Sequence, residues 1–140
     1  MNFIQAVTFC LKNFRNFKGR ASRPEFWYFH VFITFALTLW YLFLFVFFRA
    51  VDMSGYERYD LFIIGGWFLL FTLIAATPMY AVGARRFHDM NFSGWWQLMV
   101  LIPSGIGYIA YFIWCAQKGT AGPNRFGADP LEYRPNTNTQ

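Results

Sequence analysis

Residues 85–96 read Arg85-Arg86-Phe87-His88-Asp89-Met90-Asn91-Phe92-Ser93-Gly94-Trp95-Trp96, and they place four titratable side chains between two long apolar runs. A short polar stretch in that setting belongs at a membrane surface, where its charges keep water while the flanking runs do not. Before it lie 24 residues (61–84) with no charged side chain, and after it another 22 (95–116). A third uncharged run, 26–48, has 23 residues. At about 1.5 Å rise per residue, about 20 residues suffice to cross a hydrocarbon core of about 30 Å.

Composition agrees. Of 140 residues, 56% are apolar, 24% aromatic and only 14% charged. A water-soluble domain of this size needs polar residues over most of its surface, and this chain lacks them. The net charge of +5 does not mark a nucleic-acid binder. Its cations flank the apolar runs, where they set topology and meet anionic lipid. The length fits a single membrane domain, 1–140. Cys10 and Cys115 form no CxxC motif and read as small apolar residues.

Within residues 1–18, Phe3, Val7, Cys10, Phe14 and Phe17 recur at helical period and predict an amphipathic helix lying in the interface. Gly19 allows a turn, and Ser22-Arg23-Pro24-Glu25 reads as a helix start with Ser22 or Arg23 as N-cap. The first span, 26–48, carries His30 one turn in, where it reaches headgroups or a neighbouring helix. The connector 49–60 has nearly balanced charge. In the second span, 61–84, Pro78 predicts a kink. Ala75, Ala76, Ala81, Gly83 and Ala84 make the end of that span slim, a candidate packing face for a partner.

Residues 95–116 are broken by Pro103-Ser104-Gly105-Ile106-Gly107. Length favours a third span kinked at Pro103, with a re-entrant hairpin as the rival. The tail, 117–140, is rich in turn formers, and residues after Tyr133 are expected to be disordered.

The chain shows no HExxH, GxSxG, GxxxxGK[ST] or GxGxxG pattern. With two histidines, it offers no zinc-ligand spacing. Neither catalytic residues nor a cofactor or metal site is expected. Adjacent His88 and Asp89 could form an acid–base pair, but a loop held by arginine–aspartate pairing is the simpler reading. If the spans pack together, Arg20, Arg23, Glu25, Arg85, Arg86, His88 and Asp89 share one interfacial plane. They form the candidate charged cluster.

Four blocks together resemble one bacterial family. They are Phe17-x-Gly19-Arg20-x-x-Arg23-x-Glu25-Phe26-Trp27, then Arg85-Arg86-x-His88-Asp89 with Ser93-Gly94-Trp95-Trp96. Pro103-x-x-x-Gly107 and Gly119-x-x-Gly122-x-Asn124-Arg125-Phe126-Gly127-x-Asp129-Pro130 complete the set. The family is domain of unknown function 805, small inner-membrane proteins of the YhaH and YhaI type. Phe87, Phe126 and Pro24 depart mildly from its usual residues. The resemblance implies a bacterial inner membrane and several spans, and it implies no assigned activity.

The resulting expectation is an all-α integral membrane protein with an interfacial helix and three spans. It would act as a non-enzymatic interaction or envelope-associated module. A small oligomeric transporter or channel is the alternative, and a lipid-headgroup enzyme comes third. The bilayer is the first partner, with a second copy or another membrane protein possible and nucleic acid not expected. The positive-inside rule puts the N-terminus and the Arg85 loop in the cytoplasm. A tail inside would place ten cations there against two outside, so charge favours the hairpin. Length is given the greater weight, which puts the tail in the periplasm and Cys10 a full span away from Cys115.

Overall fold

The computed structural model describes residues 1–50 and 58–132, and every regular element within them is helical. A short helix α1 (Phe3–Lys12) precedes two long ones, α2 (Arg23–Ala50) and α3 (Arg58–Asp89). A 3-10 stretch (Gly94–Leu101), a 3-10 turn (Pro103–Gly105) and α4 (Ile106–Ala116) complete the order. The expected disorder beyond Tyr133 and the middle of the connector lie outside the described residues.

α1 opens with a reciprocal cap that the sequence reading overlooked. The Asn2 side chain accepts from the Gln5 amide at 2.9 Å, and Gln5 Oε1 accepts from the Asn2 amide at 3.1 Å. The helix is shorter than the expected 1–18. It docks on α2 through Ala6 and Cys10, while Phe3, Phe14 and Phe17 stay exposed. Cys10 therefore leaves the lipid-facing set and turns inward.

α2 and α3 run antiparallel. At one end the Trp40 and Phe71 rings are 4.6 Å apart; at the other, the Arg85 carbonyl accepts from the Ala21 amide at 3.0 Å. Both are long and apolar enough to cross a membrane. Their outer faces are bare: Phe35 is 64% exposed, Phe45 63% and Trp67 69%. A core helix of a water-soluble protein would have such residues covered. Pro78 lies inside α3 without ending it.

The third apolar segment differs from the expected kinked span: it doubles back. Its first leg has eight residues at about 2.0 Å rise and its second eleven at about 1.5 Å, so each is about 16 Å long. Trp96 on the first leg lies 5.5 Å from Trp114 on the second. Gly107 rests so closely on the Met99 carbonyl that a Cβ would collide with it. Between the legs, Gly105 at φ 76° reverses the chain where a residue with a side chain would be strained.

The hairpin finds its partners within the chain. Tyr111 packs 5.8 Å from both Phe26 and Phe87. Gly94 fits against Ala84, where a Cβ would come within 2.7 Å of the alanine's own. The slim end of α3 is thus filled by the hairpin of the same chain, a correction to its reading as a face for a partner. Both ends of the segment lie beside the last turn of α3, and the tail begins there.

Candidate functional site

The start of α2, the end of α3, the end of α4 and the tail meet at one end of the molecule. Their meeting point buries six charged side chains: Arg20, Glu25, Arg85, Arg86, Asp89 and, from the tail, Asp129, none more than 9% exposed. α3 can stop there because Asn91 adopts φ 64°, which lets the Asn91 and Phe92 amides bond back to the His88 and Phe87 carbonyls.

Three ion pairs share the space. Arg85 Nη1 donates to Glu25 Oε1 at 2.5 Å, joining α3 to the first turn of α2. Asp89 divides its carboxylate, Oδ1 accepting from Arg20 Nε at 2.9 Å and Oδ2 from Arg86 Nη1. Arg86 is fully buried and further donates to the carbonyls of Cys115 (2.9 Å), Ala21 (3.3 Å) and Gln117. Arg20 reaches the carbonyls of Thr120 at 2.5 Å and Gly122 at 2.6 Å. A planar guanidinium with five donors suits such junctions, because one side chain can bond several elements at once.

Around the cluster, Cys10 Sγ lies 3.6 Å from Glu25 Oε1 and 3.8 Å from Arg85 Nη2. Burial, reinforced by the Glu25 charge, pushes its thiol up to about 12, so it stays protonated. The Arg85 guanidinium also lies 5.5 Å above the Phe9 ring. Cys10 and Cys115 are both free and buried, and both lie at this end of the molecule. The hairpin overturns the expectation that a full span separates them.

His88 does not make the acid–base pair considered for it. Its Nδ1 lies 3.1 Å from the Gly19 carbonyl, and its ring stacks on Phe126 at 4.0 Å. Both oxygens of Asp89 face arginines instead. His30 packs among Phe26, Tyr111 and Phe112, as expected of contact with a neighbouring helix. Of the seven expected cluster residues, five are buried and paired, and His88 sits at the edge. Arg23 stays exposed outside the ion pairs. Among the described residues no three of His, Cys, Asp and Glu gather as a metal would require.

The sequence reading missed the tail as part of this site. Thr120 donates to the Asp89 carbonyl through its amide (2.8 Å) and hydroxyl (3.0 Å), and Asn124 Nδ2 donates to the His88 carbonyl at 2.9 Å. These are carbonyls of the last turn of α3, which have no partner within the helix. Gly119 abuts the Asp89 carboxylate closely enough that a Cβ would collide. The available signal was the side-chain chemistry: Thr, Asn and Asp bond to backbone wherever chains turn.

A family model described as "Protein of unknown function (DUF805)" matches residues 14–128, the stretch that holds this cluster. The chain belongs to the DUF805 family. Its relatives include "Inner membrane protein YhaH" of Escherichia coli (strain K12), 38% identical over 126 residues and covering 86% of this chain and 91% of that protein. "Inner membrane protein YhaI" of the same organism is 32% identical over 121 residues, covering 86% and 90%. No solved structure matches this DUF805 chain significantly.

Proposed function

We propose that this DUF805 chain is a small polytopic protein of the inner membrane, a non-enzymatic interaction module with its charged end in the cytoplasm. The observation that carries this reading is the commitment of Asp89 and Arg86 at the centre of the buried cluster. Both oxygens of Asp89 and every nitrogen of Arg86 are spent on joining elements. Such groups lock a fold and leave nothing free for a substrate. The names of the inner membrane proteins YhaH and YhaI, its relatives, support residence in the inner membrane.

The hairpin brings Lys118 and Arg125 to the end that already holds Lys12, Arg15, Lys18, Arg20, Arg23, Arg85 and Arg86. Arg49 and Arg58 flank the opposite connector. That asymmetry supports a cytoplasmic tail as well as a cytoplasmic N-terminus.

A second copy of the chain is the proposed partner. Between α2 and α3 runs an apolar groove of about 650 Å³, lined by Leu37, Trp40, Phe43 and Phe71 among others. Trp40, Phe43 and Phe71 give that groove an aromatic floor that bare lipid or a second helix must cover. A helix laid in the groove would cover the aromatic rings. Two differently tagged copies, co-expressed and extracted in mild detergent, should co-purify. Trp40→Ala, which strips the largest ring from the groove floor, should cut the co-purified fraction about tenfold or more, matching an interface anchor of about 2 kcal/mol. Two tags that never co-purify would overturn the reading.

A further inference from the structure

Between the first turn of α2 and the tail opens a cleft of about 720 Å³. Small-ligand sites occupy about 300–1,000 Å³. Arg20, Arg86 and Asp89 form its floor, Arg23 and Lys118 contribute from its sides, and Trp27, Tyr28 and Leu131 give it apolar walls.

The charges of the cleft are unevenly satisfied. Asp89 is held by Arg20 and Arg86. The other acid lining the cleft, Asp129, accepts from the amides of Gly122 at 3.1 Å and Leu131 at 2.8 Å. Four cations thus face two carboxylates that already have partners. Arg23 and Lys118 are exposed, and no ion pair among the described residues includes either. The surplus charge of the cleft sits on these two side chains, with the Ser22 hydroxyl on the same lining.

We propose that the cleft binds the phosphate headgroup of an anionic phospholipid, the phosphate lying between Arg23 and Lys118. A lipid fits better than a free phosphate ester because of what adjoins the cleft. Tyr28 lines it and is itself exposed, and Val31 and Phe35 continue the same outer side of α2 at 60% and 64% exposure. An amphiphile can place its headgroup among the cations and run its acyl chains along that side. A soluble phosphate ester would leave the apolar walls in water. Trp27 and Tyr28 also belong to the residue types that settle at headgroup depth. The proposal does not depend on self-association at the Trp40 groove, which lies three turns further along α2.

The test is lipid titration of the delipidated full chain in detergent, read by native mass spectrometry. Dioleoylphosphatidylglycerol should bind saturably at one tight site, ahead of dioleoylphosphatidylcholine. Arg23→Gln with Lys118→Gln should weaken that site about 30-fold, from about 5-fold for each cation. Both side chains are exposed and unpaired, so the fold should survive their loss. Lys12→Gln with Arg15→Gln removes the same charge from α1 and its following turn, and should change affinity less than about threefold. Equal losses in the two double variants would overturn the proposal, because the attraction would then be general to the surface. Absence of a saturable site would overturn it too. Displacement of the lipid by glycerophosphate at matching concentration would assign the cleft to a soluble phosphate ester instead.

Discussion

Asp89 compensates two buried arginines, one carboxylate oxygen answering Arg20 from the arm before α2 and the other Arg86, one turn back on α3. Removing its charge leaves Arg20 and Arg86 buried and uncompensated. Breaking a buried pair in this way costs about 3–5 kcal/mol, whereas an exposed pair is worth about 0–1. Asp89→Asn is therefore expected to lose several kcal/mol in unfolding titrated by SDS and followed by helicity, and to accumulate poorly. Glu132→Gln, an exposed acid of the tail, should stay within about 0.5 kcal/mol of the parent. At this scale the sequence was informative because charge is scarce: the few charged residues beside the apolar runs had to meet. Arg23 reaches the same end of the molecule without an ion pair among the described residues, for a geometric reason. Residues two apart on a helix point to different sides, so burying Glu25 against Arg85 turns Arg23 outward. The same rotation sends Arg85 toward α1 and its neighbour Arg86 toward α4.

Among the elements, the hairpin departs furthest from the sequence reading. Counting 22 apolar residues as one crossing assumed α-helical rise throughout and a tip without partners. The first leg is instead 3-10, and α4 packs back on it and against Phe26 and Phe87. Pro103, Gly105 and Gly107 spelled the reversal locally, and the cations of the tail agreed with it. What the sequence could not display was the pocket made by the slim end of α3, since it needs Ala84, Gly94, Gly83 and Tyr111 brought together. The hairpin has a direct test in Gly107. Gly107→Ala pushes a methyl group into the Met99 carbonyl, an overpacking that costs about 1–3 kcal/mol. Gly66→Ala, with nothing within 4 Å of the new atom, should leave stability unchanged or slightly raised. Thermal denaturation of the two variants in one detergent should separate them, and equal midpoints would argue against close packing at the tip.

For the whole molecule, two long helices, a hairpin folded back on itself and an arginine-rich end make one arrangement. The long helices and the polar end were legible from hydropathy and charge alone. The side of the tail was not, because it turns on whether residues 95–116 cross or return, and length and charge gave opposite answers. In the structure the tail returns: Arg20 donates to Thr120 and Gly122, and Asn124 to the His88 carbonyl. The N-terminal arm, the α3 end and the tail thus meet at one end of the molecule, and in the arrangement proposed above they share one side of the bilayer. The most direct test is a reporter fused after Gln140 in the full chain, expressed in cells. Green fluorescence without alkaline phosphatase activity is the expected result, and phosphatase activity at that position would contradict the hairpin and the arrangement built on it.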